Sequence, residues 1–171
     1  VDQSDDRDSI EENLRELDSL IGLDNVKKEV KELISLVKIQ QERKVLGIQN
    51  KSINKHLVFQ GPPGTGKTTI ARIIGKIYKS LGILSKGHFI ETDRSELVAG
   101  YLGQTAIKTS EILNKALGGI LFIDEAYSLS KRNDTFGDEA IDTILKFMED
   151  HRDNLVVIVA GYPNKMNEFL N

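Results

Sequence analysis

Apolar residues recur along this chain in two rhythms. Four short stretches, HLVFQ (56–60), HFIET (88–92), ILFID (120–124) and LVVIVA (155–160), have the length and the apolar run of buried strands. Between them the apolar positions return every three or four residues. Val26, Val30, Leu33, Ile34 and Val37 mark one helix, with Asp24 read as its cap and Gly47 beyond its end. Ile70, Ile73, Ile74, Ile77 and Leu81 mark a second helix. TAIKTSEILNKAL (105–117), closed by Gly118 and Gly119, makes a third, and Ala140, Ile141, Ile144, Leu145 and Met148 a fourth. Strands without polar alternation, separated by helices, predict an α/β fold with a parallel sheet covered on both faces. The chain shows no internal repeat and no low-complexity segment.

The ends read differently. Residues 1–16, VDQSDDRDSIEENLRE, are acidic and polar, and the expectation is a disordered leader followed by one folded unit over 17–171. The chain begins without Met and stops inside NKMNEFLN, which has the pattern of an amphipathic helix, so a piece of a longer protein is expected.

Composition narrows the function classes. The 171 residues suffice for one well-cored domain, and the net charge of −3 is spread over interspersed acids and bases. No basic stripe calls for nucleic acid or an anionic membrane, so neither is expected as a partner. The absence of Cys removes disulfide frameworks, thiolate zinc sites and Cys nucleophiles together. No apolar run has membrane-spanning length and no targeting signal is visible, which leaves cytoplasmic as the default location.

The strongest chemical signal is GPPGTGKTT, residues 61–69, set between the first strand and a helix. Gly61, Gly66, Lys67 and Thr68 occupy the fixed places of G-x-x-x-x-G-K-[ST]. Phosphate oxygens need several converging donors, and backbone N–H groups can supply them only where side chains do not block the approach, which Gly64 and Gly66 ensure. The following helix points its unpaired N–H groups and positive dipole end at the same place. Lys67 adds a full charge toward the β and γ phosphates, and the Thr68 hydroxyl is a hard oxygen ligand suited to Mg²⁺. A second constellation, Asp124 and Glu125, stands at the end of an entirely apolar strand. In an open α/β sheet the carboxyl ends of the strands share one crevice, so these carboxylates face the glycine loop. Asp124 suits the metal, and Glu125 the orientation or deprotonation of an attacking water.

These residues resemble a known family. GPPGTGKTT with ILFIDEA looks like the Walker A and Walker B motifs of an AAA+ ATPase, a P-loop NTPase. The resemblance runs from about Leu17 to the end. GYLGQTA and DEAYSL are similar to one branch, which holds the stage V sporulation protein K family, red-type Rubisco activases and the ATPase component of type VII secretion systems. It implies the AAA+ large subdomain, with ATP and Mg²⁺ as cofactors and ATP hydrolysis coupled to remodelling a protein partner within a ring, a hexamer in the full-length protein. Residue by residue, it implies that Ile21 and Gly22 lie against adenine. It implies that Gly61, Pro62, Pro63, Gly64, Thr65, Gly66, Lys67, Thr68 and Thr69 wrap the phosphates, with Thr68 and Asp124 on Mg²⁺ and Glu125 and Lys67 in catalysis. Tyr101, Leu102 and Gly103 match the triplet that lines the central pore. From the residues alone, Tyr101 reads equally as a half-buried turn aromatic.

The pattern also departs from the family. Where many members carry Asn as a γ-phosphate sensor at the end of the fourth strand, this chain has Tyr162, with Asn164 two places on, and either is a candidate. The arginine finger, last core strand and helical lid of the family follow that point, so the subdomain is expected to be incomplete here. Two rival classes remain, a small-molecule kinase on the same phosphate loop and a nucleotide-gated scaffold or DNA-handling module. His56, His88 and His151 show no ligand spacing and read as surface or strand-end residues, and Asp134, Asp138 and Glu139 as solvated acids.

Overall fold

The computed structural model describes residues 3–20, 22–48, 56–60, 66–101, 103–130 and 135–161. Two helices, α1 (Gln3–Ser19) and α2 (Asp24–Val45), precede a strand, β1 (Leu57–Gln60). Then follow α3 (Lys67–Ser80), β2 (Phe89–Thr92), the single-turn α4 (Arg94–Leu97), α5 (Gln104–Ala116) and β3 (Ile120–Ile123). A 3₁₀ turn (Ala126–Leu129), α6 (Thr135–Asp150) and β4 (Val156–Gly161) complete the order.

The strands form one parallel sheet in the order β1-β4-β3-β2, with Gln60 opposite Gly161, Ile123 opposite Val159, and Thr92 opposite Ile123. Alternate side chains feed two separate cores. Leu57, Phe59, Ile120, Phe122, Val156 and Ile158 pack with α1, α2 and α3 on one face. Leu121, Ile123 and Val157 pack with α4, α5, α6 and the 3₁₀ turn on the other. Right-handed crossovers require this division. The β1–β2 connection steps one way along the sheet and the next two step back, so α3 must lie on the face opposite α5 and α6.

The helical stripes predicted for α2 and α3 are buried as expected, Val26, Val30, Leu33, Ile34 and Val37 in the first, and Ile70, Ile73, Ile74 and Ile77 in the second. Gly75 of α3 meets the loop before β2 closely: a Cβ there would lie 2.7 Å from the Gly87 carbonyl oxygen. That contact draws α3 down onto the sheet at β2.

Two expectations need correction. The acidic leader is not disordered over residues 3–16: it forms α1, which packs on α3. Ile10 and Leu17 are buried with Leu14 packed beside them, an i, i+4, i+7 stripe that the surrounding acids hide in the composition. The folded unit therefore starts before residue 17. Asp24 is also not the cap of α2. It is the first helical residue, where its charge complements the helix dipole, and the cap position belongs to Leu23 in left-handed conformation (φ 54°) with no side-chain hydrogen bond.

Tyr78 is fully buried in the core beneath α1 and α2, and its phenol oxygen has no hydrogen-bond partner. Burial, with the charge of Glu29 adding to it, pushes the phenol far above its ordinary value of 10. An unsatisfied buried hydroxyl costs about 1–3 kcal/mol. Tyr78→Phe should therefore fold with equal or greater stability at neutral pH. The linkage sign follows from a raised folded value: the neutral phenol is favoured in the fold, so its contribution is intact below pH 10 and is lost as pH rises further. The variant should lose less stability than the wild type above that pH. Urea denaturation of both proteins at neutral and alkaline pH checks this; a variant weaker by more than about 1 kcal/mol at neutral pH would show that the hydroxyl is bonded.

Candidate nucleotide site

The parallel register puts the carboxyl ends of all four strands along one edge of the sheet, and the candidate residues gather there. β1 and β3 leave the sheet toward opposite faces, α3 on one and the 3₁₀ turn and α6 on the other, with β4 between them. This divergence opens a crevice between strands two spacings apart, or about 10 Å.

On the β1 side, Gly66 stands at the head of α3 with φ 84°, a left-handed conformation that glycine adopts without penalty. Its carbonyl accepts the first helical hydrogen bond from Ile70 N at 3.0 Å, and Gly66 itself offers no side-chain cap. The N–H groups in the first turn of an α-helix have no acceptor within the helix, which is the arrangement that anion binding uses. Lys67 and Thr68 are half-buried and Thr69 is exposed. Gly61, Pro62, Pro63, Gly64 and Thr65 lie outside the described residues.

On the β3 side, Asp124 N donates to the Thr92 carbonyl at 2.9 Å, which carries the strand pairing one residue past β3. One Asp124 carboxylate oxygen, Oδ1, accepts from Glu125 N at 2.9 Å and leaves Oδ2 for other partners. Glu125 is exposed and left-handed (φ 49°, ψ 45°), a conformation costing a non-glycine residue roughly 1–2 kcal/mol. Its carbonyl accepts from Ser128 N at 2.9 Å, closing a turn that redirects the chain away from the strand axis. A hydroxyl and a carboxylate are hard oxygen donors of the kind Mg²⁺ takes, one or two per site, with phosphate and water completing the shell. The described residues contain no group of three or more His, Asp or Glu that could hold a metal.

The other predicted residues divide. Gly22 is left-handed (φ 88°) and precedes left-handed Leu23, making a sharp corner between α1 and α2, whereas Ile21 lies outside the described residues. Tyr101 is 77% exposed, which removes the half-buried turn reading. Gly103 (φ 79°) heads α5, and Leu102, Tyr162, Asn164 and Asp134 lie outside the described residues. The histidines are structural. His56 accepts from Val157 N at its Nδ1 (2.9 Å), His88 Nε2 lies 2.6 Å from the Lys115 carbonyl, and His151 stacks on Phe147. Glu139, expected to be solvated, instead accepts from Ala106 N at 3.2 Å in the first turn of α5.

The sequence reading missed the buttress of the Tyr101 loop. Buried Thr109 donates to the Leu97 carbonyl (2.9 Å), buried Thr105 accepts from Ala99 N (3.1 Å), and Lys108 donates to the carbonyls of Ser95 (2.7 Å) and Val98 (3.2 Å). The available signal was two threonines four apart on the buried side of an otherwise apolar helical stripe. Among the described residues no helix is long and apolar enough to cross a membrane.

Comparison with known proteins places the chain in a family. The chain is 46% identical over 158 residues to stage V sporulation protein K of Bacillus subtilis, covering 92% of this chain and 49% of that protein. It is 48% identical over 159 residues to the ESX-1 secretion system protein EccA1 of Mycolicibacterium smegmatis, covering 91% and 28% respectively. The chain thus spans about half or less of the length of these relatives. The fold is that of the FIGL-1 AAA domain solved with ADP, at a TM-score of 0.58 and 23% identity, over 84% of this chain and 48% of that one. Residues 57–170, from the first residue of β1 through the glycine loop and the Asp124–Glu125 pair, match a single family description, and the chain belongs to the ATPase family associated with various cellular activities (AAA).

Proposed function

We propose that this chain binds ATP with Mg²⁺ and hydrolyses it, as the nucleotide-binding subdomain of a ring-forming protein, hexameric at full length, that remodels a protein partner. The observation that carries the reading is the meeting of two elements at one sheet edge. The head of α3 with Lys67 and Thr68 follows the end of β1, and Asp124 with Glu125 lies two strand spacings away at the end of β3.

Each residue then has a task that its chemistry permits. Backbone N–H groups after Gly66 and the Lys67 ammonium receive the phosphate oxygens and the charge that develops on them. Thr68 and Asp124 would hold Mg²⁺, which neutralises phosphate charge when bound. Glu125, turned out of the strand and exposed, orients a water and takes its proton. Tyr101, exposed on a loop fixed at its base, offers aromatic area for gripping a polypeptide. A kinase would have no use for a water-orienting carboxylate, and phosphate release to water rather than transfer to a second substrate separates that alternative. A DNA-handling module is disfavoured by the dispersed charge, and salt-dependent DNA affinity would restore it.

Glu125→Gln in the full-length protein tests the site. Gln keeps the size of the side chain and its hydrogen bonding but cannot accept the proton, so ATP binding should persist while turnover falls by roughly 10² to 10⁴. Turnover at the wild-type rate would show that Glu125 does not handle the water.

Tyr101→Ala tests the coupling. Because the side chain is 77% exposed, its removal should spare the melting temperature, ATP affinity and basal hydrolysis. ATP-driven unfolding of a fluorescent reporter bearing an unstructured tail should be lost. Normal unfolding of the reporter would remove Tyr101 from the gripping role.

A further inference from the structure

An arginine on a neighbouring helix bonds the turn that carries Glu125. Arg94 opens α4, just after Asp93 caps that helix by accepting from Glu96 N at 3.3 Å. The Arg94 guanidinium crosses to the loop after β3, where its Nη1 donates to the Ser128 carbonyl at 2.9 Å. Ser128 N in turn donates to the Glu125 carbonyl at 2.9 Å. Two hydrogen bonds and one residue, Ser128, therefore join the guanidinium to the backbone of Glu125. Both side chains line a single cleft of about 440 Å³, together with Asp93, Ser95, Val98 and Ser128.

Glu125 needs such a restraint. Its left-handed backbone is disfavoured for any residue with a Cβ, and a segment in that state reverts unless its surroundings fix it. The Asp124 carboxylate holds the amide of Glu125, and the Ser128 amide holds its carbonyl. Ser128 itself is fixed by Arg94. Ala126 and Leu129 are buried and Tyr127 packs against the same core, so the turn also has an apolar anchor.

We propose that Arg94 is a positioning residue for hydrolysis. By holding the Ser128 carbonyl it keeps the Glu125–Ser128 turn in its left-handed start, and so sets the direction in which the Glu125 carboxylate meets water. The inference rests on Glu125 being the water-orienting residue. Arg94 is placed to serve a second end as well, since its own carbonyl accepts from Val98 N at 2.9 Å, where α4 ends and the chain runs on to Tyr101.

The test uses the full-length protein with Arg94→Met, Arg94→Lys, Glu125→Gln and the Arg94→Met/Glu125→Gln double variant. Each is read for kcat, for the Kd of Mg·ATP and for melting temperature. A misdirected general base forfeits part of a contribution typically worth about 10² to 10⁴, so Arg94→Met should lower kcat about 10-fold or more. The Kd should stay within about threefold, because no phosphate contact has been touched. Arg94→Lys keeps a donor for one carbonyl and should restore most of kcat, which a general packing role would not predict. The double variant should be no slower than Glu125→Gln alone, since two residues acting through one carboxylate are not additive. Wild-type kcat in Arg94→Met, or a double variant slowed multiplicatively, overturns the proposal. Should Arg94→Met not fold, Arg94→Gln decides in its place, with a lowered kcat at unchanged Kd supporting the proposal and a normal kcat overturning it. If Glu125→Gln itself turns over normally, the reading of the site fails. If only Arg94→Met does, the site stands and the role of Arg94 falls.

Discussion

No residue of β3 faces water: Ile120, Leu121, Phe122 and Ile123 are each 2% exposed or less, and a parallel strand so placed must be covered on both faces. That requirement organises the rest. Two helical layers have to exist, and the handedness of the crossovers decides which connection supplies which layer. Once α3 is committed to one face and α6 to the other, the chain leaves β1 and β3 in opposite directions at the same sheet edge. The crevice between them is a consequence of covering the sheet, and the head of α3 and the two carboxylates occupy positions the topology makes neighbours.

Left-handed backbone at residues other than glycine is confined to two corners among the described residues. Among the described residues the non-glycine residues with positive φ are Leu23 and Glu125. Leu23 follows Gly22, which the family resemblance sets against adenine, and Glu125 follows Asp124 at the corner proposed to hold water. Neither conformation is one that the residue would choose in isolation, and each persists because its neighbours hold it. Lys27 N bonds the Leu23 carbonyl at 3.0 Å, and Ser128 N bonds that of Glu125. Observed outliers of this kind justify a functional reading of the two corners beyond what sequence motif alone supplies.

How much was legible in the sequence depended on the range of the interaction. The four strands and the helices between them are written in local periodicity, and Ile70 to Leu81 or Ile120 to Ile123 needed no distant partner to be read. The motif positions Gly66, Lys67, Thr68, Asp124 and Glu125 were legible for a related reason: strand, loop and helix place them by order alone. α1 was missed because its buried positions, Ile10, Asn13 and Leu17, with partly buried Leu14, are scattered among acids and acquire meaning only when α3 lies beneath them. α4 is a single turn, too short for a period, and is fixed by the Asp93 cap. The bond from Arg94 to Ser128 spans two loops on separate strands, and no pattern in either segment announces it.

The same distinction between local and distant restraint separates the Tyr101 loop from its base. Thr105, Lys108 and Thr109 of α5 fasten the backbone from Ser95 to Ala99 with four hydrogen bonds, and Glu139 of α6 fastens the head of α5. Each such bond contributes only about 0.5–1.5 kcal/mol net, but two of the side chains are fully buried, where leaving a partner unmade would cost more than the bond returns. The base is therefore held by interactions that cannot be broken singly without penalty, whereas Tyr101 itself gives almost nothing to the fold. An aromatic tip free to engage an outside partner stands on a base bonded to α5, and the residue at the head of that base, Arg94, is bonded to the Glu125 turn.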